Sequence, residues 1–544
     1  MEILGANYEI LSHIYAEIRG LQKLERNHEN IEDPGLEKIH TLIDEGAERI
    51  DNLIKNFPLS ENLRLLAMKV TLLYEKSKRL VCEDKQNLAE EVLASCLLAI
   101  NEFLSTSEII FLALRIINHY SYLLMKREDN TEARKILELG DSIYRKAKLS
   151  NSSIPFFTTE QLFSDEITAT PSDSCNKLER LVTNNLAMLS IIYEKLEMHE
   201  KFAECQHGVL ERQFDIFGDE LPMWAIKSSK LACVFMAKGR FKEARNHLAA
   251  ASQILSRYEE ISKSLESSSD PTPKSCLEIN RKLADVANCW VKYGLTLFST
   301  SKMNVLQHLC HDSTEMLTKL WDPPFRNPKT AETEAIDDKH DALRDSMKSQ
   351  RTLSSIDENE SSASDCHSPP LLLFEKLELS EYEDGVPASL IDSTEEARIL
   401  FHHTHTWLKR VKLFYTLQEH PMEYVNTIMD LNELYRYLAF YEEDIESQYA
   451  VHKLRADALE TLSAVLREIT PQCYMAVSVE ILRELAEVQM EMMGLNLRKI
   501  YAAQTTLPDL NQTVCKIETL HDLNTKLKIF KKTLSDLESP DEET

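Results

Sequence analysis

The sequence predicts an all-α protein built from helical hairpins of the tetratricopeptide type. Apolar residues recur at helical spacing along most of the chain, and no stretch of useful length alternates apolar and polar residues as a strand would. Glycine is scarce, with 11 residues in 544, which favours helices joined by short polar turns. Between Asn184 and Ser256, large and small apolar residues follow the spacing of two consecutive tetratricopeptide hairpins.

The second of these hairpins carries the repeat most clearly. Its matching residues are Leu231, Ala232, Phe235, Gly239, Phe241, Ala244, Leu248 and Ala251. Small residues such as Ala244 let two helix axes approach, while large residues such as Phe235 fill the space between the helices. Gly239 is placed to end the first helix with a left-handed cap. An ordinary antiparallel helix pair inside a bundle is the alternative for this hairpin alone.

Two upstream copies favour an array of hairpins over a bundle. In the preceding hairpin, Tyr193 lies 42 residues before the equivalent Phe235, and a longer second helix accounts for the excess over the usual period of about 34 residues. Glu197 lies at its turn. Phe202 stands where the repeat normally has alanine, so we expect these two helices to lie further apart than usual. A third copy comprises Tyr120, Ser121, Leu124, Ala133, Leu137 and Gly140. Three copies indicate a stacked array.

The other elements are predicted on both sides of this array. A polar loop at about 149–176, which could hold one short helix, interrupts it. A flexible connection at 262–274 leads to a long helix from Cys276 to Ser301, and a further predicted helix ends by Trp321. The remaining predicted helices cover 8–24, 34–56, 62–80, 87–104, 393–417, 423–440, 443–466, 471–493 and 515–537.

The segment from 322 to 370 is predicted to be disordered and to separate two halves of the chain. It is rich in Ser, Asp, Glu, Lys and Pro and almost lacks aromatic residues, so it cannot bury enough apolar surface to offset chain entropy. The predicted organisation is an N-terminal subdomain over 1–260, a connection and linker helix over 261–321, this insertion, and a C-terminal subdomain over 371–544.

Charge and cysteine usage narrow the partners and the compartment. The 62 basic and 89 acidic side chains give a formal net charge of −27, which repels nucleic acids and anionic membranes and favours a partner with a basic surface. The 11 cysteines have no paired spacing, as expected in a reducing compartment. The most apolar stretch, 109–125, is interrupted by Arg115, Asn118 and His119, so we expect a buried helix and no membrane insertion.

No cluster of residues predicts catalysis, a cofactor or a small-molecule substrate. His402 and His405 lie three residues apart on a predicted helix, but a third ligand is missing nearby, so a polar helix face is favoured over a metal site. The pair His308 and His311 has the same interpretation. The sequence contains no glycine-rich phosphate loop, Gly-x-Ser-x-Gly elbow or Cys-x-x-Cys pair. We therefore predict a non-enzymatic protein that binds other proteins.

Several blocks of sequence resemble the KIF-binding protein (kinesin-binding protein) family. The longest are Leu196-Glu197-Met198-His199-Glu200-Lys201, Cys289-Trp290-Val291-Lys292-Tyr293 and Leu438-Ala439-Phe440-Tyr441-Glu442-Glu443-Asp444, with shorter blocks at 185–186, 211–213, 224–226, 243–245, 281–282, 451–453 and 492–493. The resemblance extends over roughly residues 60–535. It implies a right-handed α-solenoid of tetratricopeptide-like hairpins in two subdomains joined by a linker helix.

The resemblance also implies a function. Members of the family bind kinesin motor domains and prevent them from engaging microtubules, so we expect a cytoplasmic, cytoskeleton-associated protein with a role in transport and axon growth. Family members usually continue beyond the position of Thr544, so we expect the helix at 515–537 to lack its usual neighbour. The alternative is a generic tetratricopeptide adaptor or co-chaperone that captures a peptide carboxylate. Such a groove needs clustered Lys, Arg and Asn on first-helix faces, where the central helices offer Lys227 and Lys230.

Helix geometry predicts which residues face a binding groove. Successive residues advance by about 100° around a helix, so residues next to the packed Leu189 and Leu231 turn away from the second helix of each hairpin. The predicted groove residues are Met188, Ile191, Lys230 and Cys233, with Gln213 at the border. The alternative is that Met188, Ile191 and Cys233 pack between successive repeats.

Overall fold

The computed structural model contains helices and turns and, within the part of the chain that it describes, no strand. The described residues are 2–26, 33–55, 59–149, 156–164, 171–216, 221–266, 273–320, 371–469, 475–505, 525, 528, 529, 531 and 532. The predicted all-α class is confirmed. None of the described helices is long and apolar enough to span a lipid bilayer.

The chain divides into two compact units. The first comprises Met1–Gly294, Phe374–Ala388 and His402–Asp430, and the second comprises Leu295–Leu373, Ser389–Phe401 and Leu431–Thr544. The four-part organisation expected from the sequence remains a prediction, and its insertion at 322–370 lies outside the described residues.

Four consecutive hairpins form the repeated part of the first unit within its described residues. Two helices precede them, α1 (Glu2–Arg26) and α2 (Asp33–Ile54). The hairpins and the short helix between the second and third are α3 (Leu59–Cys82) with α4 (Gln86–Ile100), α5 (Ile110–Lys126) with α6 (Asn130–Leu149), α7 (Thr159–Leu162), α8 (Pro171–Lys195) with α9 (His199–Ile216), and α10 (Leu221–Ala237) with α11 (Phe241–Glu266). The stacked array is therefore confirmed, and it contains one more hairpin than the repeat pattern predicts.

Every one of these hairpins turns through a residue in the left-handed region. The four are Asp84, Glu128, Glu197 and Gly239, with φ between 57° and 71°. In the last hairpin, the Arg240 amide donates to the Phe235 carbonyl at 2.9 Å and the Gly239 amide donates to the Met236 carbonyl at 3.0 Å. This pair of bonds is the Schellman cap. In the other hairpins, the hydrogen bond equivalent to that between Arg240 and Phe235 is accepted by the carbonyl groups of Leu80, Leu124 and Tyr193. This confirms the predicted equivalence of Tyr193 and Phe235.

The close approach of the two helices depends on a small residue five positions after the left-handed one. Ala89, Ala133 and Ala244 occupy this position and are fully buried. Phe202 takes it in the third hairpin, is half-buried and packs against the apolar core of the first unit. A wider separation of α8 and α9 stays a prediction.

Three helix boundaries in the middle of the chain differ from those predicted. α8 begins at Pro171, inside the predicted loop, because proline suits the first turn of a helix. α11 extends into the predicted connection as far as Glu266. One helix, α12 (Pro273–Leu320), replaces the two predicted before Trp321, since the polar residues near Ser301 include no proline or glycine that would break it.

A short segment after residue 370 belongs to the first unit. Phe374–Ala388 contains the short helix α13 (Ser380–Glu383). The ring of Phe374 lies 4.6 Å from that of His247 and 5.1 Å from that of Trp224, measured between centroids. The sequence-based division assigns this segment to the C-terminal subdomain, whereas these contacts anchor it on α10 and α11.

The second unit is organised around a buried ion-pair network. It contains parts of α12, α14 (Thr394–Phe414) and α15 (Pro421–Tyr441), together with α16 (Ile445–Ile469) and α17 (Met475–Thr505). Arg455 is fully buried and donates to Glu484 at 2.8 Å, to Glu491 at 2.7 Å and to the Asn432 side chain at 2.7 Å. α14, α15 and α16 agree with the predicted helices, whereas α17 continues to Thr505, beyond the predicted end at 493. The helix predicted at 515–537 lies almost entirely outside the described residues.

Candidate functional site

A groove opens on the first-helix faces of three consecutive hairpins in the first unit. Its volume is about 430 Å³. The lining residues are Tyr74 and Lys78 of α3, Arg115, Asn118, His119 and Tyr122 of α5, and Leu181, Asn184 and Met188 of α8. On each helix these residues are mostly three or four positions apart and so form one stripe. We call this feature the α3–α5–α8 groove.

Buried amide groups hold two sides of the groove together. Asn118 donates from Nδ2 to the Leu181 carbonyl at 2.9 Å and accepts from Asn185 Nδ2 at 3.1 Å. Gly140 of α6 leaves room for this arrangement, because a Cβ atom at Gly140 would lie 2.7 Å from Asn185 Nδ2. The stripe of α5 is thereby fixed against α8.

Two cations from neighbouring helices face the groove. Arg115 donates from Nη1 to the Thr159 hydroxyl at 2.8 Å, and its guanidinium carbon lies 5.0 Å from the centre of the Tyr74 ring. Lys78 pairs with Glu75, whose side chain is fully buried beneath it. Burial lowers the pKa of Lys78, and the attraction of Glu75 opposes that shift.

His119 is a neutral member of the lining at pH 7. Burial, followed by repulsion from Lys78 and Arg115, lowers its pKa to about 4. Its ring packs edge-on against Tyr74, with 5.7 Å between centroids, and its Nδ1 has no hydrogen-bond partner in the described part of the chain. The imidazole therefore adds no charge to the groove near neutral pH.

The charged side chains that line the groove are opposite in sign to the net charge of the chain, although Glu75 lies beneath Lys78. Its lining contains Lys78 and Arg115 and no carboxylate, while the chain as a whole carries −27. The acidic binding surface expected from composition therefore does not describe this groove, because composition averages over the whole surface. A ligand with negative charge is favoured here.

The five residues predicted from helix geometry lie in different surroundings. Met188 lines the α3–α5–α8 groove, but it is only 8% exposed and belongs to the apolar core of the first unit. Ile191 is 45% exposed on the next turn of α8, and Lys230 is exposed on α10. Gln213 is half-buried near the end of α9. Apart from Met188, these residues do not line the groove described above.

Cys233 is half-buried and interacts with α12. A hydrogen bond between the two thiols lowers the pKa of Cys233 and raises that of Cys289. This contact favours the alternative of packing between helices for Cys233. The role of all five residues in binding stays a prediction.

Most of the groove lining was not among the predicted site residues, although the sequence held a signal for it. Arg115, Asn118 and His119 interrupt the most apolar stretch of the chain. That interruption argues against a membrane span. Polar residues at helical spacing in an otherwise buried helix also predict a polar surface that the fold keeps open, and α5 is buried on most other sides.

Two pairs of histidines were weighed as metal ligands, and the side chain of His311 in the second pair lies outside the described residues. Within the described residues, no group of three or more His, Cys, Asp or Glu side chains is arranged to hold a metal ion. His403, between His402 and His405, instead accepts a hydrogen bond at Nε2 from Trp407 Nε1 at 3.0 Å.

Comparisons with known proteins identify one family. A family model described as KIF-1 binding protein C terminal matches residues 223–544. The chain is 26% identical to the KIF-binding protein of Gallus gallus over 480 residues, covering 88% of this chain and 74% of the relative. It is 26% identical to the KIF-binding protein of Homo sapiens over 465 residues, covering 84% and 68%.

A solved structure titled Kinesin binding protein (KBP) covers 96% of this chain and 82% of its own, with a TM-score of 0.49 and 17% sequence identity. The α3–α5–α8 groove lies upstream of the region that the family model matches. Because that model matches more than half of the chain, the chain belongs to the KIF-1 binding protein family.

Proposed function

We propose that this protein binds kinesin motor domains and thereby keeps them from engaging microtubules. Membership of the family carries the proposal, since the relatives that match most of the chain are named KIF-binding proteins. The stacked hairpins of the first unit support it, because such arrays offer extended surfaces for protein partners. We place this activity in the cytoplasm, on the cytoskeleton, in microtubule-based transport and axon growth.

The proposed mechanism is occlusion. A motor domain held through its track-binding surface cannot bind the track at the same time. A net charge of −27 would attract a motor surface that is built to hold an acidic filament, and would speed their encounter. No residue of this chain needs to take part in a chemical step.

Part of the proposed contact surface can be tested without disturbing the core, and it comprises Ile191, Gln213 and Lys230. Met188 is excluded from the test because truncating a buried methionine costs about 2–5 kcal/mol in stability. Combined replacement of the three by Ala should weaken motor binding at least about tenfold, or about 1.4 kcal/mol. Biolayer interferometry with immobilised motor domains provides the measurement.

The matched control replaces Leu139, Ser142 and Lys146 of α6 by Ala. These residues also comprise one apolar, one polar and one cationic side chain, and Leu139 and Lys146 are exposed. The control variant should bind as the parent does. Retained affinity of the folded test variant would move the contact surface elsewhere, while a parent protein that binds no motor domain would end the functional proposal.

A further inference from the structure

The cations of the α3–α5–α8 groove retain unused binding capacity. Arg115 forms no ion pair within the described residues: its guanidinium donates to the neutral hydroxyl of Thr159, and the charges of Glu75 and Glu160 act on it from a greater distance. A guanidinium carries five N–H donors in a fixed fork. Lys78 has one described counter-ion, Glu75, which also accepts a hydrogen bond from Gln22 at 2.9 Å. Two cations at one opening, with no carboxylate in the lining, leave a site for an added anion.

The α8 side of the groove and the neighbouring end of α5 offer amide and apolar groups. Asn184 is exposed on α8, and its side chain makes no hydrogen bond within the described residues. Tyr122 is 56% exposed, while Leu181 and Met188 supply apolar surface beside it. These groups can accommodate the backbone and the neighbouring side chains of a ligand that is larger than a simple anion.

We propose that the α3–α5–α8 groove binds a peptide through a carboxylate that lies between Lys78 and Arg115. A carboxylate matches the fork of a guanidinium and gains a second cation from Lys78. The opening spans about two helical turns, or roughly 10 Å, on α5 and α8, which suits a segment of polypeptide. A nucleic acid carries a charge on every nucleotide, so the −27 net charge repels it more strongly than it repels a peptide segment that places one carboxylate in the groove. This activity is distinct from kinesin binding and does not rest on it.

Three fluorescein-labelled peptides of equal length test the ligand chemistry. The first alternates Leu and Glu and is amidated, the second alternates Leu and Gln and is amidated, and the third alternates Leu and Gln with a free C-terminal carboxylate. Fluorescence anisotropy with the full chain should show binding of the first at least about tenfold tighter than of the second. Binding of the third as well would assign the terminal carboxylate as an alternative source, and its failure would assign the side chain.

A charge series at one exposed position tests the location. Asn184→Asp should weaken binding of the Leu-Glu peptide at least fivefold to tenfold and Asn184→Lys should strengthen it, because neither change removes a described contact of Asn184. The matched controls are Asn87→Asp and Asn87→Lys, since Asn87 is exposed on α4 and outside the groove. Lys78→Gln and Arg115→Gln should also weaken binding, with melting temperature recorded because Lys78 pairs with buried Glu75.

Three results would overturn the proposal. The first is no binding of either carboxylate-bearing peptide at about millimolar protein. The second is equal affinity for all three peptides, which would mean that no carboxylate contributes to binding. The third is an equal response to the Asn87 and Asn184 series, which would indicate attraction by the general surface. Motor binding is measured separately, so each of these failures leaves the functional proposal standing.

Discussion

Ala244 lies at the closest approach of α10 and α11, where it is fully buried. Ala244→Trp should lower the free energy of unfolding by about 1–3 kcal/mol, because a large side chain would force the helices apart. Urea unfolding followed by circular dichroism provides the measurement. Ala237→Trp is the control, since Ala237 is exposed at the end of α10. An unchanged midpoint for Ala244→Trp would mean that the repeat register is wrong.

His207 and His247 form a buried pair that makes stability depend on pH. Their rings are joined by a hydrogen bond of 3.1 Å between Nδ1 of His207 and Nε2 of His247. Burial lowers the pKa of His207 to about 4 and that of His247 to about 3, from 6.5. At these two histidines, the unfolded chain therefore binds protons between pH 6.5 and about pH 4, whereas the folded chain does not.

The free energy of unfolding should accordingly fall as pH decreases from 6.5 towards 4. Urea titrations at several pH values measure this slope. His207→Gln should make the slope shallower, whereas His199→Gln should leave it unchanged because His199 is exposed. A slope that is identical in all three proteins would assign the acid sensitivity to other groups.

The hairpin turns show what a single residue contributes to an element. Glu197 adopts φ 57° in the turn between α8 and α9, a region that disfavours side chains by about 1 kcal/mol or more. Glu197→Gly should therefore raise the free energy of unfolding by about 1 kcal/mol, and Gly239→Ala should lower it by a similar amount. Lys227→Gly, in the interior of α10, is the control and should destabilise by about 1 kcal/mol. Destabilisation by Glu197→Gly would contradict the role of the cap.

These turns also explain why the repeat pattern predicts three of the hairpins and not the α3–α4 hairpin. Gly239 is the clearest signal of a left-handed residue, because glycine tolerates that region best. Asp84 is a weaker signal, since aspartate visits the region only occasionally, and Glu128 and Glu197 adopt it without a residue type that predicts it. The α3–α4 hairpin lacks the other repeat residues in an obvious form, so its helices were predicted but their equivalence to the later hairpins was not.

The α3–α5–α8 groove could not be assembled from the sequence for a different reason. Its two cations, Lys78 of α3 and Arg115 of α5, are separated by α4 along the chain and meet only because the hairpins stack. Met188 was predicted because helix geometry is local. The partners that surround it depend on which helices become neighbours, and no local pattern specifies that.

The compact units of the molecule are not continuous along the chain: the second unit begins at Leu295, yet a later segment belongs to the first unit. Phe374–Ala388 returns to the first unit through contacts such as that between Arg245 Nη1 and the Val386 carbonyl, at 2.6 Å. Helical periodicity predicts each helix but not this return, because periodicity carries no information about distant partners. The fold class, most helices and the family were predictable for the same reason, since each rests on local patterns.

If this protein occludes motor domains as proposed, it competes with microtubules for them. Cosedimentation of a motor domain with stabilised microtubules, in the presence of increasing concentrations of the protein, measures that competition. We expect the motor to leave the pellet as the protein concentration passes the Kd of their complex, while the protein itself stays in the supernatant. Undiminished pelleting of the motor far above that Kd, or entry of the protein into the pellet with the motor, would contradict it.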